Sequence, residues 1–243
     1  MDDVRYLIVG DIHGCFDEFQ ALLDKSGLGR RDAIISIGDL VDRGPDPGAV
    51  LDFFRKNSRA GSVMGNHEHK HVRIFRGDRA PSTAQVATRL QLGEPAYARA
   101  CAFMEKLPLA IELPDAILAH GYFEPGLSIK KQRPAVLLGS ARARAEIERR
   151  LRRPWYEGYD GSKPLLVGHR DYTQTGKPFV WRDRVYALDT GCCYGRALTG
   201  LLLPEFRLLS VRSRTNHWRR TKKRLAAHPE SVPMAILAAA GRG

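Results

Sequence analysis

The sequence of 243 residues has few cysteines and no long hydrophobic run. Its four cysteines form no C-x-x-C pair, which excludes a zinc knuckle or a dithiol redox motif of that type, and free thiols are typical of a reducing compartment. The late apolar run Met234–Ala240 is far shorter than the roughly 18 residues that a membrane-spanning helix needs. The acidic start Met1–Asp3 does not resemble a leader peptide, so we expect a cytoplasmic protein without a membrane partner.

Acidic residues are scarce relative to basic ones: 27 Asp and Glu face 39 Lys and Arg, for a formal net charge of +12. Most of the excess positive charge lies in two segments, Ala141–Arg153 and Arg212–Arg224. Concentrated positive charge predicts an anionic partner, either nucleic acid or a phosphorylated protein. Because Trp218 is the only aromatic residue in these segments, we favour the simpler interpretation of a solvated helix face and a basic tail.

The chain changes character along its length. Short apolar runs alternate with helix-compatible segments up to residue 76, which predicts βαβ units. Residues 77–108, with scattered Ala, Arg and Gln, predict a helical insertion, and short strands return from Leu165 onward. We therefore expect a single α/β domain over residues 1–211, with two layers of strands and helices outside them, and a basic C-terminal tail over residues 212–243.

Three short motifs contain most of the chemically informative residues. Gly10–Gly14 reads Gly-Asp-Ile-His-Gly, Gly38–Gly44 reads Gly-Asp-Leu-Val-Asp-Arg-Gly, and Gly65–Glu68 reads Gly-Asn-His-Glu. Each motif follows an apolar run predicted to be a strand, so its Asp, His and Asn side chains come to the sheet edge where open α/β structures bind ligands. Oxygen donors mixed with imidazole are typical of a divalent first-row metal site. The order and spacing predict a two-metal phosphoesterase.

These motifs resemble the signature of the phosphoprotein phosphatase branch of the calcineurin-like metallophosphoesterases, which is GDxHG, GDxxDRG and GNHE in that order. His120 after an apolar run, His169 in Leu166–His169 and the closing segment Asp189–Cys192 are further matches, and the resemblance covers about residues 4–211. It implies the calcineurin-like metallophosphoesterase fold, an α/β fold in which a β-sandwich of mixed sheets is flanked by helices in a single domain.

The resemblance implies two divalent metal ions held by six residues. The first ion is assigned to Asp11, His13 and Asp39, and the second to Asp39, Asn66, His120 and His169. Asp39 would bridge the two ions, and mixed oxygen and nitrogen donors favour Mn, with Fe or Zn as alternatives, over Mg or Ca. The expected reaction is in-line attack on phosphorus by a hydroxide that bridges both metals.

The resemblance also implies catalytic roles for residues beside these ligands. His67 would protonate the leaving group, Asp42 would orient His67, and Arg43 would bind phosphate oxygens. The neighbouring His69 and His71 are expected to lie on the exposed face of the helix after the third motif, without a metal role.

The chain departs from the family pattern in two places that bear on substrate binding. It has His-Gly-Tyr where the family usually has His-Ala-Gly, so Tyr122 is predicted to approach the substrate. The family's second phosphate-binding Arg is displaced by one position, which leaves Arg142, Arg144 and Arg170 as candidates.

These residues predict a metal-dependent phosphatase that hydrolyses phosphate monoesters, with phosphoserine or phosphothreonine in proteins as the leading substrate. A symmetrical diadenosine tetraphosphate hydrolase shares all of these motifs and is the main alternative, which makes a nucleotide the second candidate substrate. A nucleic-acid end phosphatase or phosphodiesterase is a third hypothesis. A non-enzymatic phospho-binding module would be expected to have lost ligands or His67, and this chain retains them all.

Overall fold

The computed structural model describes residues 4–227, which contain ten β-strands and eight α-helices. The strands are β1 (Tyr6–Val9), β2 (Ala33–Ser36), β3 (Ala60–Ser62), β4 (Ala110–Glu112), β5 (Ile117–Ala119), β6 (Leu165–Val167), β7 (Phe179–Trp181), β8 (Val185–Ala187), β9 (Ala197–Leu203) and β10 (Arg207–Arg212). The helices are α1 (Phe16–Ser26), α2 (Pro47–Lys56), α3 (Asn66–Phe75), α4 (Thr83–Leu92), α5 (Glu94–Met104), α6 (Pro134–Leu137), α7 (Ala141–Leu151) and α8 (His217–Ala227).

The strands form two mixed sheets of five strands each. The first has the order β10-β9-β1-β2-β3, in which β1, β2 and β3 are parallel and come from successive βα units. The strand β9 is antiparallel to β1, and β10 is antiparallel to β9. The second has the order β4-β5-β6-β8-β7, with β5, β6 and β8 parallel and an antiparallel strand at each edge. The predicted fold, a β-sandwich of mixed sheets flanked by helices, is confirmed.

Three apolar layers hold the sandwich together. Successive side chains of a strand point to opposite faces, so Leu7 packs with Phe19 of α1 outside the first sheet, whereas Ile8 packs with Leu166 between the sheets. A third cluster around the fully buried Trp155 covers the outer face of the second sheet. The strand β1 is apolar throughout because helices cover one of its faces and the other sheet covers the second.

Most predicted elements are confirmed, and the differences lie at their ends. The predicted insertion over residues 77–108 is helical, since it contains α4 and α5. The strand before the third motif, β3, ends at Ser62. The amide of Met64 instead donates to the carbonyl of Pro108 at 2.7 Å, so the chain has already left the sheet before the third motif begins.

The C-terminal segment packs on the domain as far as it is described. The predicted boundary at residue 211 lies inside β10, which continues to Arg212. Ser213 Oγ and His217 Nε2 each lie 2.7 Å from Glu18 Oε1 of α1, and α8 follows directly. The rest of the predicted tail, residues 228–243, lies outside the described residues.

No helix within residues 4–227 is both long enough and apolar enough to cross a membrane.

Candidate active site

Five loops at the carboxyl ends of strands converge on one site. The β1–α1 and β2–α2 loops contain the first two motifs, the third motif begins at the end of the β3–α3 loop and forms the first turn of α3, His120 directly follows β5, and His169 follows β6. Parallel strands present their carboxyl ends at one edge of a sheet, and the sandwich places the two edges side by side. The six residues predicted to bind metal are therefore brought together from positions that span more than half of the chain.

Asp39 lies at the centre of this cluster and is almost fully buried. Its Oδ2 is 3.5 Å from His13 Nε2, and its Oδ1 is 3.4 Å from His120 Nε2. Asn66 Oδ1 in turn lies 2.9 Å from His120 Nε2 and 3.0 Å from His169 Nδ1. Asp39 thus lies beside His13, a predicted ligand of the first ion, and beside His120, a predicted ligand of the second. A residue that bridges two ions must reach both sites in this way.

The two histidines that face Asp39 are oriented by the backbone. His120 Nδ1 donates to the carbonyl of Ile37 at 2.9 Å, and His13 Nδ1 donates to that of Val41 at 2.8 Å. Burial lowers the pKa of both imidazoles, so they are neutral and present a lone pair at Nε2. These lone pairs face oxygen lone pairs of Asp39, an arrangement that fits a cation between them.

The acidic residues of the site also fit bound cations. Burial, with Asp189 and Asp39 nearby, raises the pKa of Asp11 well above its ordinary value. Burial also raises the pKa of Asp189 to about 6, and Asp171 and Asp39 act in the same direction. Several carboxylates confined in a buried space repel one another, and divalent cations would relieve that repulsion. Asp189 belongs to the closing segment of the motif resemblance, but the sequence alone indicated no role for it.

The backbone of the site is held in unusual conformations. Five residues adopt positive φ angles between 49° and 72°: His13, Asp39, Asp42, Arg43 and His169. Each such conformation costs about 1–3 kcal/mol for a residue other than glycine. Glu68, which is fully buried, stabilises the second motif, because its Oε2 accepts from the amides of Asp39 at 2.8 Å and Gly65 at 2.9 Å, and its Oε1 from that of Leu40 at 2.9 Å. The final Glu of GNHE thus acts on the loop that holds Asp39.

Asp42 occupies a different environment, in which side chains satisfy both of its oxygens. His67 Nδ1 lies 2.5 Å from its Oδ2, which is the contact expected for a carboxylate that orients a catalytic imidazole. Three further donors surround the carboxylate: Gln85 Nε2 at 2.5 Å, Thr88 Oγ1 at 2.7 Å and His71 Nε2 at 2.8 Å. Together these contacts hold the pKa of the buried Asp42 well below its ordinary value although burial opposes them.

His71 corrects one expectation and explains the helical insertion. It was expected on an exposed helix face, but it is fully buried and its Nδ1 lies 3.0 Å from the hydroxyl of Tyr97. Gln85 and Thr88 belong to α4 and Tyr97 belongs to α5. The insertion over residues 77–108 therefore supports Asp42 directly, whereas His69 is only partly buried.

Arg43 lies between His13 of the predicted metal cluster and His67, the predicted proton donor. Its guanidinium places one nitrogen 2.6 Å from His13 Nε2 and the other 3.0 Å from His67 Nε2, and the group stacks over the ring of Tyr194 at 5.5 Å. On the outer side, Thr221 Oγ1 of α8 donates to the carbonyl of Arg43 at 3.0 Å. Arg43 is thus positioned to bind a phosphate, and the C-terminal helix braces its backbone, a contact that the sequence alone did not indicate.

The candidates for a second phosphate-binding arginine do not join the cluster. The side chain of Arg142 is 91% exposed and pairs with Glu146 at 3.2 Å. Arg170 is exposed next to His169, and its guanidinium lies over the ring of Tyr172 at 5.3 Å. Among the described residues, Arg43 is the arginine whose guanidinium contacts the predicted metal ligand His13 and the predicted proton donor His67.

Tyr122 is buried rather than open to a substrate. It is only 3% exposed, and its ring packs edge-on against His169 at 5.6 Å, with Arg144 over its other side at 5.8 Å. Its predecessor Gly121 fits tightly, because a Cβ there would collide with the backbone of Gly139. Tyr122 thus positions a predicted ligand, and the departure from His-Ala-Gly is a packing requirement.

A buried cluster of Asp, His and Asn donors beside a His–Asp pair and an arginine defines a metallophosphoesterase. Residues 4–188 match the family profile described as calcineurin-like phosphoesterase, and the chain belongs to this family.

Curated relatives and a solved structure extend this comparison. The bis(5'-nucleosyl)-tetraphosphatase PrpE [asymmetrical] of Anoxybacillus flavithermus is 33% identical and covers 86% of this chain and 94% of the relative. That of Bacillus velezensis is 30% identical and covers 86% and 93%. A crystal structure described as a candidate diadenosine tetraphosphatase matches with a TM-score of 0.68 and 23% identity, over 86% of this chain and 94% of the other, and shows a shared fold.

Proposed function

We propose that this enzyme hydrolyses the polyphosphate bridge of bis(5'-nucleosyl) tetraphosphates in a metal-dependent reaction. The observation that carries the proposal is the likeness to relatives of that name, which extends over 86% of the chain and therefore includes the residues around the site as well as the motifs. This likeness favours a nucleotide substrate over a phosphoprotein substrate. The phosphoprotein substrate is supported by the motif resemblance. The relatives are named asymmetrical, whereas the sequence alone suggested symmetrical cleavage.

The residues of the site suit such a reaction. Two divalent ions, held by the six Asp, His and Asn residues around Asp39, would supply positive charge to the phosphoryl group and activate water. Arg43 offers a planar fork of donors to the non-bridging oxygens of the phosphate under attack. His67, oriented by Asp42, is placed beside Arg43 and can donate a proton to the departing oxygen.

Among the described residues, the exposed Arg142 and Arg170 contact Glu146 and Tyr172, which leaves Arg43 as the arginine to bind the reacting phosphate. The leaving group of an anhydride is itself a phosphate, which departs more readily than the alkoxide of phosphoserine. We therefore expect anhydride substrates to depend less on His67 than alkyl phosphates do.

Product analysis with diadenosine tetraphosphate and added Mn²⁺ tests the proposal. Asymmetrical cleavage gives ATP and AMP, whereas symmetrical cleavage gives two molecules of ADP, and anion-exchange chromatography separates the two outcomes. Chelation should abolish turnover and Mn²⁺ should restore it more effectively than Mg²⁺, because the donor set mixes imidazole with oxygen.

A substrate panel distinguishes the other candidates. A phosphopeptide set, 3'- or 5'-phosphorylated oligonucleotides, p-nitrophenyl phosphate and its diester would be compared at equal enzyme and metal concentration. A kcat/KM for any of the first two groups above that for diadenosine tetraphosphate would replace the proposed substrate. Undiminished turnover by metal-free enzyme would contradict metal dependence itself.

A further inference from the structure

A second cluster of potential metal ligands lies beside the active site and shares none of its residues. Cys15 immediately precedes α1, Glu18 is in the first turn of that helix, and Cys192 lies in a short 3₁₀ turn after β8. The two sulfur atoms and one carboxylate oxygen all lie within 4.8 Å of one another. Cys15 and Cys192 are 0% and 2% exposed, so these donors meet in the interior.

The carboxylate of Glu18 is satisfied on one side only. Its Oε1 accepts from Ser213 Oγ at 2.7 Å and lies 2.7 Å from His217 Nε2. Its Oε2 is buried and has no hydrogen-bond partner among the described residues. A buried carboxylate oxygen without a partner has lost its hydration without compensation, so a positive charge or a hydrogen-bond donor next to it would be favourable.

The thiols do not supply what Glu18 lacks. Cys15 Sγ lies 3.6 Å from the carbonyl of His13. The two sulfurs and one oxygen of the Glu18 carboxylate lie within 4.8 Å of one another, and His217 Nε2 lies 2.7 Å from Glu18 Oε1. A histidine bonded behind a ligating carboxylate is the kind of outer contact that fixes ligands in metal sites.

We propose that Cys15, Glu18 and Cys192 form a binding site for a thiophilic divalent cation of the Zn²⁺ type. Soft sulfur donors combined with one carboxylate select such an ion over Mg²⁺, Ca²⁺ or Mn²⁺. Binding forms two metal–sulfur bonds and one metal–oxygen bond, and each thiol releases its proton to solvent. The enclosure of the donors is typical of a structural rather than a catalytic ion.

Two simpler interpretations explain less. Packing of small apolar side chains accounts for buried cysteines, but it leaves the buried oxygen of Glu18 without a partner. A disulfide between Cys15 and Cys192 would leave that oxygen in the same position.

The ion would join elements that are far apart in sequence. Glu18 is in α1, Cys192 follows β8, and His217 opens α8, whose Thr221 contacts the carbonyl of Arg43. A cation bound here would fasten the C-terminal helix to the loop that begins with the first motif. We therefore expect it to stabilise the chain and to leave the chemistry at Asp39 in place.

Cobalt substitution tests the proposal with a signal specific to this site. The predicted ligands around Asp39 include no sulfur, so sulfur-to-cobalt charge-transfer absorption can arise only where cysteines bind the ion. The full-length protein, freed of metal and titrated with Co²⁺, should develop this absorption with one equivalent per chain. Cys15→Ser and Cys192→Ser should each lose it, whereas Cys101→Ser, which changes a buried cysteine of α5, should retain it. No such absorption in the unaltered protein, or its persistence in both site variants, would overturn the proposal.

A second variant covers the case in which the serine variants do not fold. Glu18→Gln keeps the size of the side chain and its contacts with Ser213 but removes the charge. We expect its Co²⁺ affinity, measured by the same absorption, to fall at least tenfold, on the order of what supporting residues contribute to metal sites. An unchanged affinity would remove Glu18 from the site and contradict the proposal.

Discussion

Asp39 and Asp42 lie in one loop and are both almost fully buried, yet their surroundings are opposite. Asp42 receives four side-chain donors, from His67, His71, Gln85 and Thr88. Asp39 accepts one main-chain hydrogen bond, from the amide of His67 at 3.0 Å, and otherwise faces the ring nitrogens of histidines.

The difference shows how one loop supplies two kinds of carboxylate. Protein donors compensate the charge of Asp42, so it can orient His67 without binding an ion. Asp39 keeps lone pairs directed at other lone pairs, which is favourable when cations lie between them. The number of donors around each carboxylate, more than its burial, separates a metal ligand from a positioning residue.

Replacing Asp39 should have the largest effect. We expect Asp39→Asn to lose bound metal and to reduce kcat/KM by well over the roughly 10–100-fold typical of outer-shell changes at metal sites. Elemental analysis and turnover of p-nitrophenyl phosphate measure the two effects. Asp42→Asn is the matched control, since it should retain its metal content. Equal metal loss in both variants would contradict the distinction between these carboxylates.

Replacing His67 should affect chemistry without affecting metal binding. His67→Asn is expected to reduce kcat by about 10²–10⁴-fold for an alkyl phosphate, because the alkoxide needs a proton as it leaves. The loss should be smaller for p-nitrophenyl phosphate, whose leaving group needs little protonation. Asp42→Asn should show the same pattern more weakly. Equal losses on both substrates would indicate a structural role for His67.

The arginines provide a test of which guanidinium binds phosphate. Arg43→Ala should lower kcat/KM by roughly 10–100-fold, the worth of hydrogen bonds to a charged group, and weaken inhibition by inorganic phosphate. Arg142→Ala and Arg170→Ala should have small effects, because both side chains are exposed. Weaker phosphate inhibition in Arg142→Ala than in Arg43→Ala would show that the second arginine reaches the substrate after all.

His71 tests the donors around Asp42 individually. His71→Phe removes one of the four side-chain donors, so we expect kcat for an alkyl phosphate to fall by about tenfold with little change in KM. Tyr97→Phe, which removes only the hydroxyl that contacts His71, should have a smaller effect in the same direction. A fall in thermal stability with unchanged kcat in both variants would make this network purely structural.

Removing the hydrogen bond between α8 and the backbone of Arg43 should have the smallest effect. Thr221→Val removes the hydrogen bond to the carbonyl of Arg43, which is worth about 0.5–1.5 kcal/mol, and should raise KM a few-fold. Lys222→Ala, an exposed neighbour on the same helix, is the control and should leave KM unchanged. An equal rise in KM for both variants would show that the effect comes from a general disturbance of α8 and not from its contact with Arg43.

The sequence was most informative about features that depend on residues close together in the chain. The first motif follows an apolar run that forms the buried strand β1, and α7 lies within the Arg-rich segment Ala141–Arg153 that was expected to be a solvated helix face. The three motifs predicted which residues gather around Asp39, since each motif directly follows a strand and the parallel β1, β2 and β3 share one edge. Nothing in those motifs showed that Tyr122 is buried.

Long-range packing decided the rest. That Gln85 and Thr88 donate to Asp42 depends on α4 folding back over the second motif, and no local pattern encodes that approach. The contact of Thr221 with Arg43, across 178 positions of the chain, likewise exists only once α8 has docked. By itself the sequence determined the fold class and the candidate ligands, because strand patterns and motif chemistry are local. Only the tertiary structure decided which carboxylate stays open to a cation, because donors from distant elements satisfy the other.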